Sequence, residues 1–223
     1  MLTMLRKRSS VFMGIFLALE TALYCGLLAG GSNFTVYAYT SIVLCFVYGL
    51  LQFKAANPWM LAGMACTVGA DYFLVVCSPA DQLWGMVFFM VAQSMYAVAL
   101  HKKKFHKLIF VLRLSFTVIA PLIVLLVLRD KTDALSVISL CYYVNLIFNL
   151  ITAWSQGNKV LGIGFVLFLL CDTVIGLQVA AGGYLPIGEG TLLHRIIFID
   201  FNLAWFFYLP SQVLIALKIK ERV

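Results

Sequence analysis

The sequence consists largely of apolar runs that are about as long as a membrane is thick. Eight such runs follow one another, at residues 11–29, 34–53, 58–77, 83–100, 108–128, 134–154, 160–181 and 196–217. A helix needs about 20 apolar residues to cross the hydrocarbon core of a bilayer, and only short polar segments separate these runs. The pattern therefore predicts an all-α bundle of eight transmembrane helices, in which residues 1–223 form a single domain.

The composition excludes most classes of soluble protein. Of the 223 residues, 63% are hydrophobic and 11% are charged, and the mean hydropathy is +1.01. A soluble protein of this size has too much surface to hide that amount of apolar area from water. A soluble enzyme, a disordered chain and a DNA-binding domain are therefore excluded, and lipid is the expected solvent for most of the chain.

The Lys and Arg residues sort to one side of the predicted bundle. Twelve of the sixteen fall in segments that eight spans place on the same side, and Arg129, Lys131 and Arg195 fall on the other. Because basic residues concentrate in cytoplasmic loops, both termini are predicted to be cytoplasmic. Topology thus explains the net charge of +7 without a nucleic acid or another anionic partner. In a bacterium the expected location is the plasma membrane.

Ionisable residues within the apolar runs are the main functional signal. Glu20, Asp71, Arg113, Asp172 and Asp200 all lie inside predicted spans, where charged groups are costly and usually mark functional sites. The alternative is that these residues only hold helices together through hydrogen bonds. That explanation suits any one of the five ionisable residues better than it suits all five. The polar residues that accompany them in the spans are Gln93, Tyr96, Asn145, Asn149, Asn202, Tyr208 and Gln212.

Two of the acids are expected at the same depth. Asp71 follows Pro58 by thirteen residues and Asp172 follows Lys159 by thirteen, so both should lie about 20 Å from the cytoplasmic ends of their helices. Asp200 and Asn202 reach a similar level from the outer end of the last span. Carboxyl groups that are close together do not all ionise readily. We therefore expect one to hold a proton while another stays charged, which is the arrangement that acid–base catalysis requires.

A faint internal repeat includes these two aspartates. Gly63 precedes Asp71 by eight residues, and Gly164 precedes Asp172 by eight. The offset between the two pairs is 101 residues, which corresponds to four spans. This spacing favours two parallel halves of four helices each.

The sequence indicates neither a metal nor a cofactor. His101 and His106 are predicted on the opposite side of the membrane from His194, and no metal-binding pattern such as His-Glu-x-x-His occurs. The six cysteines lie in or at the ends of the spans without a Cys-x-x-Cys pair. We interpret them as small packing residues.

Four segments resemble the YhhN family of multi-pass membrane proteins, which includes lysoplasmalogenases. Residues 61–71 resemble its span with a glycine followed by an aspartate, and residues 165–172 resemble its second aspartate span. Residues 89–96 resemble its aromatic run followed by His and Tyr, with Gln93 at the His position. Residues 207–215 resemble its closing Tyr-x-x-x-Gln segment, and Tyr39-Thr40-Ser41 stands where the family tends to have Lys-Pro.

The resemblance implies hydrolysis of the vinyl-ether bond of a lysoplasmalogen, with a fatty aldehyde and glycerophosphoethanolamine or glycerophosphocholine as products. Asp71 and Asp172 would be the catalytic acid and base, in either order, without a metal or cofactor. Arg195 or Arg113 would hold the phosphate. The expected partners are a lysophospholipid substrate and membrane lipid, with no obligate protein partner. The supporting residues would be Gln93, Tyr96, Asp200, Asn202, Tyr208 and Gln212.

Two other functions fit the same residues. A proton-coupled transporter also has acidic residues within the membrane, two parallel halves, and spans that are kinked at a proline. A lipid-binding or scaffold protein would use the acids for packing alone. Release of aldehyde from lysoplasmalogen would distinguish the enzyme from both, and uptake into vesicles would identify the transporter.

Overall fold

The computed structural model describes residues 2–101, 106–129, 132–183, 188, 190–199 and 201–220. These residues form helices and connecting turns without any strand. A π-helical turn, Tyr72–Val76, continues the third helix. The helices are α1 (Leu2–Leu28), α2 (Phe34–Leu51), α3 (Pro58–Asp71), α4 (Gln82–Ala99), α5 (His106–Leu128), α6 (Ala134–Ser155), α7 (Lys159–Gly183), α8 (Leu192–Ile197) and α9 (Leu203–Leu217).

In the described part of the chain, seven helices are long and apolar enough to cross a membrane, namely α1 to α7, with α3 extended by its π-helical turn. Helix α9 is apolar but has only 15 residues. The prediction of an all-helical, multi-pass membrane protein is therefore confirmed. The count of eight spans stays a prediction, because it depends on α9.

The structure differs from the sequence prediction at the last span. Residues 196–217 were expected to form one helix, but α8 ends at Ile197 and α9 begins at Leu203. The side chain of Asn202 accepts a hydrogen bond from the backbone N–H of Trp205 at 3.2 Å. Because such a bond satisfies a free N–H at a helix start, Asn202 marks the beginning of α9 and not a position inside a span. Asp200 lies outside the described residues.

Polar caps fix where three other helices begin. The side chains of Asn57, Asp81 and Asp133 each accept a hydrogen bond from a backbone N–H two or three residues later, at 3.0, 3.1 and 2.8 Å. Asn and Asp are among the residue types that most often cap helices. The hydroxyl and the backbone N–H of Ser136 hold the pKa of the exposed Asp133 below its usual value. These caps set the starts of α3, α4 and α6.

The closest helix contacts depend on glycine. Helix α3 packs most extensively against α4, and α7 against α9. A Cβ atom at Gly63 would overlap the ring of Tyr96, and one at Gly164 would lie 3.4 Å from the carbonyl oxygen of Ser211. Helix α4 also packs on α6, and α2 packs on α9. In contrast, α5 lies at the edge of the bundle against α6 and exposes most of its apolar side chains.

Gly63→Ala should destabilise the protein because the ring of Tyr96, which is 0% exposed, has no room to move away from a methyl group. We expect a loss of about 1–3 kcal/mol, as for other overpacked cores, measured by chemical unfolding in detergent micelles. Gly176→Ala is the matched control, because no atom lies within 4 Å of the point that its new methyl group would occupy. Equal stability of the two variants would contradict this account of the α3–α4 contact.

Candidate functional site

Each of the two predicted catalytic aspartates accepts a hydrogen bond from a tyrosine of another helix. Tyr208 of α9 donates to Oδ2 of Asp71, at the end of α3, at 2.6 Å. Tyr142 of α6 donates to Oδ2 of Asp172 in α7. Four helices therefore contribute one side chain each to two Asp–Tyr pairs.

Two phenylalanine rings pack against both tyrosines. The centroid of the Phe89 ring is 5.6 Å from that of Tyr142 and 6.2 Å from that of Tyr208. The Phe168 ring is 6.3 Å and 5.2 Å from the same two rings. The structure thus brings both aspartates to one aromatic cluster, and we call the two pairs with Phe89 and Phe168 the Asp–Tyr site.

The two aspartates differ in accessibility. Asp71 is 2% exposed, and the two tyrosines are 3% exposed each. Asp172 is only partly buried, and Ile175 and Gly176, at the next turn of α7, are exposed. Of the two aspartates, Asp172 therefore lies nearer to the surface of the bundle.

The backbone changes its winding directly after Asp71. Residues Tyr72–Val76 form a π-helical turn, in which the N–H of Cys77 bonds to the carbonyl oxygen of Tyr72 at 3.0 Å. Single π-helical turns within α-helices occur frequently at functional sites. Proline and glycine commonly interrupt a helix, but this turn contains neither. The sequence therefore carried no signal of the π-helical turn.

Sequence reasoning also missed Tyr142. It lies nine residues after the cap residue Asp133, and Asp172 lies eleven residues before Gly183, the last residue of α7. Helices α6 and α7 are joined by a short turn and run in opposite directions, so the two positions have a similar depth. A comparison of depths between neighbouring antiparallel helices would have paired Tyr142 with Asp172.

Gln93 belongs to a separate network beside the Asp–Tyr site. Its backbone and side-chain oxygens both accept hydrogen bonds from Nδ2 of Asn149, at 2.8 Å each. Arg113 donates to Oδ1 of the same Asn149 at 2.9 Å. Gln93 lies one turn from Phe89 on α4, so this Arg–Asn–Gln network borders the aromatic cluster.

Two further predicted residues are buried in helix contacts. The hydroxyl oxygen of Tyr96 lies 3.3 Å from that of Thr67 on α3. Gln212 lies one turn after Tyr208 on α9, is 2% exposed and donates a hydrogen bond to Oγ of Ser211 at 3.3 Å. Neither side chain bonds directly to an aspartate.

The remaining predicted residues lie near the start of α9. Arg195 is exposed on the six-residue helix α8, and Asn202 is the exposed cap of α9. Asp200, which was predicted as a supporting residue at a depth similar to that of the two aspartates, lies outside the described residues.

Glu20 lies apart from the Asp–Tyr site. It is 4% exposed and accepts hydrogen bonds from Oγ of Ser41 at 2.5 Å and from Sγ of Cys45 at 3.3 Å. Both donors belong to α2, so Glu20 joins α1 to α2 as hydrogen-bonded polar residues do in other membrane bundles.

The polar groups that the Asp–Tyr site offers are two carboxyl and two phenol groups. Within the described ranges, no three side chains of His, Cys, Asp or Glu are placed together to hold a metal ion. The arrangement is suited to moving protons and to orienting a bound group within an apolar surrounding.

The sequence model of the YhhN family matches residues 33–219. The chain belongs to the YhhN family. The match extends from α2 to α9 and so includes both Asp–Tyr pairs. The family includes lysoplasmalogenases, and the resemblance found in the sequence is confirmed. No curated protein and no solved structure is detectably similar to this chain.

Tyr142→Phe and Tyr208→Phe each remove the hydroxyl that bonds to an aspartate and keep the ring in the aromatic cluster. We expect each to lower the free energy of unfolding by about 1–3 kcal/mol, because a buried carboxyl group loses its partner. Unfolding in detergent micelles measures the change. Tyr143→Phe is the control, since its hydroxyl oxygen lies 2.8 Å from that of Thr173 in a part-buried contact that involves neither aspartate. A larger effect of Tyr143→Phe than of the other two would contradict the assignment.

Proposed function

We propose that this member of the YhhN family hydrolyses the vinyl-ether bond of a lysoplasmalogen within the membrane. The products would be a fatty aldehyde and glycerophosphoethanolamine or glycerophosphocholine. One observation carries the proposal: two Asp–Tyr pairs from different helices meet at one buried aromatic cluster.

Vinyl-ether hydrolysis needs one acid and one base. The acid protonates the β carbon of the double bond, and the oxocarbenium ion that results is captured by water as the base removes a proton from that water. The hemiacetal then separates into aldehyde and alcohol, so that one water is consumed in total. A pair of carboxyl groups in opposite protonation states performs the same two roles in inverting glycosidases. In our proposal Asp71 and Asp172 are this pair.

The tyrosines and phenylalanines support these roles by position. Each tyrosine bonds to Oδ2 of its aspartate, which orients the carboxyl group and leaves Oδ1 for proton transfer. The rings of Phe89 and Phe168 lie beside both pairs. Aromatic faces attract cations, so these rings would stabilise the oxocarbenium ion while they keep bulk water away.

The difference in exposure supports a proposed route for the substrate. Asp172 is the partly exposed member of the pair, and the next turn of α7 is open at Ile175 and Gly176. A lysolipid would therefore enter from the membrane on that side, and its ether group would lie between Asp172 and the deeper Asp71.

Aspartate replacement tests the proposed chemistry. Asp71→Asn and Asp172→Asn keep the shape of each side chain and remove its titrating proton, so each should lower aldehyde release from lysoplasmalogen at least about a hundredfold. Mass spectrometry of the aldehyde, with purified protein in detergent, measures the loss.

Glu20→Gln is the matched control, because it makes the same change at a buried acid whose partners lie on α2. We expect it to keep most of the activity. Near-normal turnover in the double variant of Asp71 and Asp172 would remove the enzyme assignment. Proton-coupled uptake into vesicles without aldehyde release would replace it with a transporter.

We further propose eight spans with cytoplasmic termini, arranged as two parallel halves. The helix neighbours support this arrangement, because the contacts α1–α2, α2–α3 and α3–α4 recur as α5–α6, α6–α7 and α7–α9. The cross contact between α4 and α6 likewise corresponds to that between α9 and α2. Asp71 and Asp172 then occupy equivalent positions in the two halves, and α9 is the eighth span.

Cysteine labelling in intact cells tests the orientation. Ser32→Cys, Ala80→Cys and Gly188→Cys should react with a membrane-impermeant maleimide, because the sorting of Lys and Arg places these positions outside. Lys103→Cys and Asn158→Cys should react only after the cells are permeabilised. The unmodified protein gives the background from its own cysteines. Labelling of position 103 in intact cells would be incompatible with this topology.

A further inference from the structure

A cavity of about 430 Å³ opens between α4, α5 and α6, outside the Asp–Tyr site. Its walls include Ser94 and Ala97 of α4, Arg113 of α5, and Asn145 and Thr152 of α6. These side chains supply one cation and several hydrogen-bonding groups in an otherwise apolar part of the bundle. His101, just after the end of α4, also lines the cavity.

Arg113 lies in this wall without a carboxylate partner in the described part of the chain. Its contacts are the hydrogen bond to Oδ1 of Asn149 at 2.9 Å and the ring of Phe148, whose centroid is 5.9 Å from the guanidinium carbon. A guanidinium group has five N–H donors, so most of them remain for another group. A cation within a membrane span is costly unless it is paired, and such a residue usually marks a binding site. An anion in the cavity would pair with it.

The Arg–Asn–Gln network connects this cavity to the Asp–Tyr site. Arg113 bonds to Asn149, Asn149 bonds to Gln93, and Gln93 lies one turn, about 6 Å along the axis of α4, from Phe89. The ring of Phe89 in turn contacts Tyr142, which bonds to Asp172. A continuous series of side-chain contacts therefore joins Arg113 to Asp172.

The structure distinguishes between the two cations that the sequence left open. Arg195 is exposed on a helix of six residues. Arg113 lines a cavity and is linked by hydrogen bonds to a residue one turn from the aromatic cluster. Arginine binds phosphate well because its planar group donates two parallel hydrogen bonds.

We propose that the cavity between α4, α5 and α6 binds a phosphodiester group, and that Arg113 is the residue that contacts it. The choice of ligand rests on the proposed function, but binding does not require turnover. Two molecules carry this group, namely the lysophospholipid in the membrane and the glycerophosphodiester released by hydrolysis.

Equilibrium binding of an alkyl-ether lysophosphocholine to the purified full-length protein tests this site. The saturated ether is not protonated at carbon, so the ligand stays intact. Arg113→Gln should weaken binding at least about tenfold, the loss expected for a charged hydrogen-bond pair, and Arg113→Lys should lie between it and the wild type. Ala97→Phe, which fills the cavity and keeps the guanidinium group of Arg113, should have a similar effect to Arg113→Gln.

Two controls isolate the phosphate. Arg195→Gln should bind the alkyl lysolipid as the wild type does. An alkylglycerol, which lacks the phosphate, should bind equally to the wild type and to Arg113→Gln. If soluble glycerophosphocholine displaces the alkyl lysolipid as effectively as the lipid itself does, the cavity is a site for the product. If only the lipid displaces it, the cavity is a site for the substrate.

Wild-type affinity for the alkyl lysolipid in folded Arg113→Gln and Ala97→Phe would overturn the proposal. An equal loss of alkylglycerol binding in Arg113→Gln would also overturn it, because the residue would then act on the fold and not on phosphate. Phosphate-dependent binding without any aldehyde release from lysoplasmalogen would keep the site and refute the hydrolase assignment.

Discussion

Inside a bilayer no water is available to bond to a carboxyl group, so a buried acid must find its partners within the protein. This requirement determines which helices meet in this bundle. Glu20 joins α1 to α2 through Ser41 and Cys45. Asp71 joins α3 to α9 through Tyr208, and Asp172 joins α7 to α6 through Tyr142. The glycine-mediated contacts of α3 with α4 and of α7 with α9 then bring the two aspartates to the same aromatic cluster.

The same need for partners separates a packing residue from a candidate catalytic one. Glu20 accepts hydrogen bonds on both oxygens and lies among α1 and α2 alone. Each aspartate accepts a hydrogen bond from its tyrosine on one oxygen, and both tyrosines pack against the same two phenylalanine rings. Asp172 is partly exposed. In our proposal these two acids perform acid–base chemistry on a lipid, and Arg113 contacts the phosphate of that lipid.

Much of this arrangement follows from local sequence. Long apolar runs predicted where most of the helices lie, and counting from the helix starts predicted that Asp71 and Asp172 share one depth. The partners of the aspartates depend on helix rotation and on contacts between segments far apart in the chain, which neither hydropathy nor spacing determines. Tyr142 was missed for this reason. The break before Leu203 was missed because Asn202, which caps a helix, was interpreted as a polar residue inside a span.

The central claim is that a carboxyl group protonates carbon in a vinyl ether. Hydrolysis of lysoplasmalogen by the purified protein in deuterium oxide tests it most directly, because the transferred proton remains in the product. We expect the deuterium to enter on one face of the double bond. The aldehyde, reduced to the alcohol as it forms, should then have a single configuration at the deuterated carbon, which NMR of a chiral ester would detect. Equal amounts of the two configurations, as protonation of a free enol would give, or no aldehyde at all, would contradict the proposal.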